Sequence, residues 1–303
     1  MLTSRMGTIL DGKAVAQTVR RIVKEEVASF CARYGRTPGL ATVLVGDDPV
    51  SRVYVGTKEK ACREVGIHSF GYRLSVTATA TEVLTLIAEL NARTDVHGIL
   101  IQLPLPAHLE KERLIESLAP EKDVDALHPL SQGRLLLGED GLRPCTPLGV
   151  MRLLDETRLP LAGKKAVVIG RSLLVGKPVA LMLLERHATV TCCHSYTIDL
   201  ASEVRAADVV VAAIGQPEVI KGAWLKEGAV VIDVGISRLA DGSLCGDVEF
   251  AVARERAAFI TPVPGGVGPM TVAMLLANTV KAAEWQMQSG QLPVASCQQD
   301  REK

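Results

Sequence analysis

Lys165-Ala-Val-Val-Ile-Gly170-Arg-Ser172-Leu-Leu-Val-Gly176-Lys-Pro178-Val-Ala-Leu-Met-Leu-Leu184 decides how this chain folds. A short apolar, β-branched run ends at Gly170, a small polar turn follows, and a second apolar run begins near Pro178. A buried parallel strand, a tight turn and a helix are written in this way. A turn of this kind aims backbone N–H groups and the positive end of a helix dipole at an anion, which suits a dinucleotide pyrophosphate. The spacing departs from G-x-G-x-x-G because Ser172 stands where the second glycine would be. These residues alone are equally satisfied by a plain strand-turn-helix.

The next apolar run, Ala188-Thr-Val-Thr-Cys-Cys-His-Ser195, ends about where the second strand of a dinucleotide fold should, roughly 20 residues past the first glycine. An NAD-selective site places Asp or Glu there to hold the ribose 2′-hydroxyl. Here the strand ends in Cys193, His194 and Ser195, and Arg171 sits in the phosphate turn. A missing acid plus an available guanidinium favours a 2′-phosphate, hence NADP. Ala207-Asp-Val-Val-Val-Ala-Ala-Ile-Gly215 and Gly228-Ala-Val-Val-Ile-Asp-Val-Gly-Ile236 continue the pattern, each apolar and followed by glycine. Together they predict a doubly wound parallel sheet.

With 303 residues the chain is long enough for two cores. Its 34 basic and 34 acidic residues give no reason to expect nucleic acid or a charged membrane surface as partner. Seven cysteines without a C-x-x-C pair suit free thiols in a reducing compartment. No apolar run approaches the roughly 18 residues of a membrane-spanning helix. The first ten residues hold one arginine and no signal-like apolar core. Cytosol is the expected location, with a short mitochondrial presequence as the alternative. Low complexity is confined to the tail Gln298–Lys303.

Outward from the decisive stretch, Val15, Val19, Ile22, Val23, Val27 and Phe30 recur at helical spacing. Leu40–Gly46 and His97–Leu105 read as strands, with a helix over Glu82–Asn91 between them, so the first half is α/β as well. Two prolines in Pro144-Cys-Thr-Pro147 mark an expected boundary before a helix over Gly149–Glu156, and a last long helix runs from Thr271 to about Gln286.

The first half carries the reactive side chains. Asp48 is a natural N-cap with Pro49 at the first helical position. The helix they open presents Ser51, Tyr54 and Lys58 at i, i+3 and i+7 along one stripe, with Glu59 and Lys60 off it as solvated charges. A lysine one turn beyond a tyrosine is in isolation more often a surface side chain than a catalyst. Gln102 interrupts an apolar strand near its carboxyl end, where α/β sheets bind ligands; an edge position facing water accounts for it equally well. Asp123 and Asp125 lie in a polar loop, where turn formation is the commoner use of aspartate. Thr261-Pro-Val-Pro264-Gly265-Gly-Val-Gly268-Pro-Met-Thr271 packs three glycines and three prolines into eleven residues. It reads as a rigid wall for a flat ligand or as a linker.

Tyr54-Val-Gly-Thr-Lys58-Glu-Lys60, Gln102-Leu-Pro-Leu105, Pro120-Glu-Lys-Asp-Val-Asp125, Pro144-Cys-Thr-Pro147, Gly170-Arg-Ser172 with Val175-Gly176 and Pro178, and Pro264–Thr271 occur in this order. The set resembles the bifunctional methylenetetrahydrofolate dehydrogenase/methenyltetrahydrofolate cyclohydrolase family, FolD, from about Ile9 to Trp285. Two departures are visible: Ala126 stands where the family usually has glycine, which puts the placing of the Asp125 loop in question, and His128-Pro129 follows in a variable stretch.

The resemblance implies an α/β fold of two domains flanking a cleft, the second a Rossmann-like doubly wound parallel sheet, with a C-terminal helix returning to the first. It sets a folate-binding catalytic domain at 1–147 plus helix 272–296, and an NADP-binding domain at 148–271. It implies a homodimer acting on one-carbon derivatives of tetrahydrofolate: hydride transfer from 5,10-methylenetetrahydrofolate to NADP⁺, then hydrolysis of the methenyl cation to 10-formyltetrahydrofolate. Hydride transfer needs mainly orientation, and hydrolysis needs a group able to manage a proton at neutral pH, as a desolvated lysine can. By the resemblance Lys58 is that group, Gln102 orients it, Tyr54 borders the folate and Asp125 pairs with the pterin. Ser51, Pro264 and Gly265 join them on the substrate side, and no metal is implied. Gly170, Arg171 and Ser172 face the cofactor phosphates, Ser195 the 2′-phosphate and Ile236 the nicotinamide or adenosine part, with Thr146, Gly268 and Thr271 lining the cofactor side. A shikimate-dehydrogenase-like enzyme and a non-catalytic NADP-binding sensor remain as alternatives.

Overall fold

Leu40–Val45 is apolar on both faces except Thr42, and in the computed structural model, which describes residues 6–290, every residue of β2 (Gly39–Val45) is buried. That is the signature of a central parallel strand. β2 is flanked by β3 (His68–Leu74) and β4 (Gly98–Ile101), both parallel to it. The sequence reading missed β3, because an edge strand with exposed His68 and Gly71 lacks the apolar run of a central one. Three helices of the same unit are α2 (Pro49–Val65), α3 (Ala80–Ala92) and α4 (Lys111–Glu116). Val83, Ile87 and Leu90 of α3 and Leu114 of α4 pack on Ala41, Val43 and Ile99 to make its core. α3 is started by a capping box in which Thr79 and Glu82 bond reciprocally.

The chain divides into two compact units that interleave in sequence. One holds Thr18–Gln132, Gly141–Arg143 and Leu275 onward; the other holds the residues through Gln17, Gly133–Asp140 and Pro144–Met274. α1 (Gly12–Tyr34) passes from the second into the first, where its Phe30 and Tyr34 pack against Ala283 and Met287 of α10 (Val267–Gln288). Ile22, expected on the buried stripe of α1, is exposed instead: it sits at the stripe's margin beside fully buried Val23. α5 (Pro129–Leu137) crosses from one unit to the other at Gln132/Gly133. The break expected at 147/148 falls inside α6 (Cys145–Glu156), and the division lies at Arg143/Pro144. Pro147 is in the first turn of α6, where a missing N–H costs little, so the two prolines begin a helix rather than bracket a linker.

The other unit is a six-stranded, all-parallel sheet in the order β1-β11-β8-β7-β5-β6. Its strands are β1 (Thr8–Ile9), β5 (Lys165–Ile169), β6 (Thr189–Cys193), β7 (Val209–Ala212), β8 (Val230–Asp233) and β11 (Phe259–Ile260). Around it lie α7 (Gly176–Glu185), α8 (Leu200–Ala206) and α9 (Phe250–Arg256), and a hairpin of β9 (Ser237–Arg238) and β10 (Leu244–Cys245). β6 pairs on one side of β5 and β7 on the other, so the strand order reverses between β5 and β7, the usual place for a ligand in such sheets. The edge strand β1 and its neighbour β11 are only two residues long and gave no periodic signal.

No described helix is long and apolar enough to cross a membrane. The readings placed on residues 1–5, on the end of the expected C-terminal helix at 291–296 and on the polar tail lie outside the described residues.

Candidate functional site

Asp48 caps α2 as its side chain accepts from the Ser51 N–H at 2.7 Å, with Pro49 at the helix start. That fixed entry sets the rotation of the helix and with it the stripe of Ser51, Tyr54 and Lys58. The stripe runs from a buried end to an open one: Ser51 is 2% exposed, Tyr54 is exposed and Lys58 half-buried. Glu59 is also half-buried, where solvation was expected, while Lys60 is exposed and pairs loosely with Glu64.

Lys58 Nζ donates to Gln102 Oε1 at 2.9 Å. Gln102 is 8% exposed, which rules out the water-facing reading, and it lies just past β4 rather than within a strand. Its own Nε2 donates to the Leu103 carbonyl at 2.6 Å. A carbonyl only accepts, so the Leu103 carbonyl dictates which way the amide faces and leaves Oε1 for the lysine N–H. Gln102 thereby holds the lysine amine at the carboxyl end of a parallel strand, as a second layer of contacts should.

The two aspartates of the polar loop part company. Asp123 is buried and accepts from the His128 N–H at 2.6 Å; burial pushes its carboxyl up to about 7, against the N–H donors. It forms the turn. Asp125 is half-buried in the turn that follows the parallel bridge between Ile99 of β4 and Asp123. Asn278 of α10 pins this segment by donating to the Val124 carbonyl at 2.7 Å. Lys122 is buried and donates to the carbonyls of Asn91 (2.8 Å) and Arg93 (2.7 Å), capping the C-terminus of α3. Sequence reasoning passed it over; a lysine between two acids reads as solvated.

Ala126 has φ +52°, the left-handed region, and is buried. This is the physical reason glycine suits the position. The loop nevertheless closes, with Ala126 N–H donating to Asp123 O at 3.0 Å and Gln132 Nε2 donating to Ala126 O at 2.6 Å. Ala126→Gly is expected to change stability by less than about 1 kcal/mol. Relief of about 1–2 kcal/mol of backbone strain is offset by glycine's chain entropy and a lost buried methyl. Urea unfolding would check this; a larger gain means the alanine distorts the loop.

In the phosphate turn the glycine tasks are divided differently from the familiar fingerprint. Gly170 has φ +118°, and a Cβ on it would meet the Ala213 carbonyl oxygen at 2.2 Å; one on Gly176 would meet the Gly170 oxygen at 2.1 Å. Ser172 replaces the middle glycine usefully: its Oγ accepts from the N–H groups of Val175 (3.1 Å) and Gly176 (3.4 Å), shaping the entry to α7. Arg171 is exposed, its guanidinium 5.8 Å from the ring centre of Tyr196, which adjoins exposed Ser195 in the turn after β6. Arginine and serine expected at one phosphate thus lie on neighbouring turns of one surface.

The Gly-Pro segment leads from β11 into α10 within one unit, so it is no linker between units. Pro264 is exposed, Gly265 has φ +108°, and Gly268 would meet nothing within 4 Å if given a side chain. The Thr146 and Thr271 hydroxyls are hydrogen-bonded at 2.9 Å, joining α6 to α10. Ile236 is 51% exposed at the carboxyl end of the sheet, after β8. Among the described residues no cluster of His, Cys, Asp or Glu is arranged to hold a metal.

Comparison with known proteins agrees with both halves of this geometry. The catalytic-domain model of tetrahydrofolate dehydrogenase/cyclohydrolase matches residues 10–125, and its NAD(P)-binding-domain model matches residues 144–287. The bifunctional protein FolD of Geotalea uraniireducens is 57% identical over 279 residues, 92% of this chain and 99% of its own. The crystal structure of bifunctional FolD from Campylobacter jejuni has 48% identity and a TM-score of 0.90, covering 92% of this chain and 99% of that one. FolD of Trypanosoma brucei, solved with NADP cofactor and an inhibitor, has 42% identity and a TM-score of 0.91, covering 94% and 99%. This chain belongs to the tetrahydrofolate dehydrogenase/cyclohydrolase family.

Proposed function

We propose that this chain is a bifunctional one-carbon folate enzyme. It oxidises 5,10-methylenetetrahydrofolate with NADP⁺ to the 5,10-methenyl cation and hydrolyses that cation to 10-formyltetrahydrofolate. The observation that carries the reading is the Lys58–Gln102 hydrogen bond at the end of β4, in a chain that also holds a glycine-lined phosphate turn. Family membership removes the shikimate-dehydrogenase-like and sensor alternatives.

The turn residues fit a dinucleotide. Gly170 and Gly176 leave no room for a Cβ, so the backbone of the turn is bare enough for a pyrophosphate to approach it closely at the positive end of the α7 dipole. Arg171 and Ser195 would hold the 2′-phosphate, and Ser172 the turn that faces the diphosphate. When bound, the nicotinamide supplies the hydride acceptor for the one-carbon bridge. Thr146, Gly268, Thr271 and Ile236 are assigned to the cofactor side.

On the folate side Tyr54 offers an exposed ring for a planar ligand, Asp125 an acceptor for pterin N–H groups, and Pro264 and Gly265 a rigid edge. Ser51, at the buried end of the stripe, is assigned to the substrate side. In hydrolysis, water adds to the bridging carbon of the methenyl cation and Lys58, as the free amine, takes its proton. The bond from that carbon to N5 then breaks as the lysine returns its proton to N5, and the carbinol hydroxyl releases its own proton to solvent, leaving the formyl group on N10. Gln102 keeps the amine aimed throughout by accepting one of its hydrogens.

Following NADPH formation and methenyl absorbance on one sample tests both activities. Failure of either on pure, folded protein overturns the reading.

The functional unit is a homodimer, with the β9–β10 hairpin as the edge offered to a second copy. Sedimentation at micromolar concentration should give about twice the chain mass; a clean monomer rejects it. The described cysteines are thiols, which supports a reducing, cytoplasmic setting, with mitochondria as the alternative.

A further inference from the structure

Two buried carboxylates stand outside every role assigned above. Asp233 ends β8 and Asp247 follows the hairpin strand β10; they are 3% and 0% exposed. Neither forms an ion pair among the described residues. Each instead accepts three backbone N–H groups. Asp247 takes those of Ile214 (2.7 Å), Gly215 (3.2 Å) and Gln216 (2.9 Å). Asp233 takes those of Gly235 (3.0 Å), Asp247 itself (3.0 Å) and Val248 (2.9 Å), while its own N–H donates to Thr261 Oγ1 at 2.8 Å. The packing is reciprocal. A Cβ on Gly235 would strike the Asp247 carboxylate at 2.0 Å, and one on Gly246 would strike that of Asp233 at 2.0 Å.

The destination of this chain of bonds gives it meaning. Residues 214–216 form the loop leaving β7, and β7 lies beside β5 where the strand order reverses. Gly170, which opens the phosphate turn, touches the backbone of Ala213 at the start of that loop. Three successive N–H groups held by one buried carboxylate fix the shape of this loop, and with it the shape of its outer face. That outer face is open: Gly215 is exposed, and a Cβ on it would meet nothing within 4 Å.

We propose that Asp247 is a positioning residue for the dehydrogenase reaction, its carboxylate fixing Ile214–Gln216 in the form that receives the dinucleotide, with Asp233 holding Asp247 in turn. The inference rests on the dehydrogenase reading above. The cyclohydrolase half-reaction consumes no cofactor and so serves as an internal control for folding.

Asp247→Asn keeps the shape but turns one oxygen into a donor that faces a backbone donor. The expected result is a rise of about tenfold in KM for NADP⁺, the scale of one lost hydrogen bond in a buried site. KM for methylenetetrahydrofolate, and cyclohydrolase activity measured without cofactor, should stay within about twofold of the parent. A purely structural role would lower both activities together, and that outcome overturns the proposal, as does an unchanged KM for NADP⁺. If Asp247→Asn is insoluble, Gly215→Ala decides. Its methyl enters open space, and the backbone strain at its φ of +67° falls on this exposed loop. It must raise KM for NADP⁺ with cyclohydrolase activity kept if the loop faces the cofactor, and no change overturns the proposal. A parent protein that forms no NADPH would instead fail the functional reading.

Discussion

Replacing Lys58 by methionine is expected to lower methenyltetrahydrofolate hydrolysis by at least about a hundredfold, the low end of what general acid–base catalysis contributes. Methionine keeps the length and apolar volume of the side chain and removes only the nitrogen that donates to Gln102. Folding should therefore be nearly unchanged. NADP affinity should hold too, because the phosphate turn belongs to the other unit. Dehydrogenase activity should fall by less, since hydride transfer needs no enzyme base but does need folate in place. A folded Lys58→Met protein that binds NADP normally and hydrolyses the methenyl cation at the parent rate would make Lys58 an ordinary helix-surface residue.

Removing Arg171 tests the cofactor side. If its guanidinium meets a 2′-phosphate, Arg171→Ala should weaken NADP binding by about one to two decades, or roughly 1.5–3 kcal/mol. Use of NAD, which lacks that phosphate, should hardly move. The stacking of Arg171 on Tyr196 adds a finer test. Arg171→Lys keeps the charge but loses the planar fork, and should recover only part of the affinity. Equal use of NAD and NADP by the unaltered protein would reject the assignment outright.

What the sequence revealed and what it hid follow from how each element is stabilised. β2 and β5 are buried on both faces, so their runs of Val, Leu and Ile were plain. β1 and β11 owe their existence to backbone pairing across the sheet, and two residues carry no period. Lys58 and Gln102 were visible as residues, but their hydrogen bond joins positions 44 apart in sequence, a distance no local pattern spans. Ser172 looked like a flaw in a glycine motif; the structure shows its hydroxyl shaping the turn, while Gly176 supplies the close approach. Asp233 and Asp247 were the hardest to see. Each reads in sequence as an acid beside a turn, and only burial with six inward N–H donors sets them apart. The Asp233-x-Gly235 and Gly246-Asp247 pairings could have drawn attention, since each glycine makes room for the other segment's carboxylate.

Interleaving of the two units has a consequence for biogenesis. The unit containing Lys58 includes residues from Leu275 onward, and Phe30 and Tyr34 near its start are buried only once Ala283 and Met287 have been made. The core between its strands and α3 can close early, but the face of α1 that carries Phe30 and Tyr34 stays open on the ribosome until almost the whole chain has been synthesised. The six-stranded sheet draws its edge strand β1 from the first residues made and its neighbour β11 from some of the last. Contacts this remote in sequence make folding slow, and they leave apolar surface uncovered during synthesis. A fragment ending at Arg143 would lack the helix that covers Phe30 and Tyr34 and should depend on chaperones or aggregate, so the first unit to emerge is among the last to finish packing.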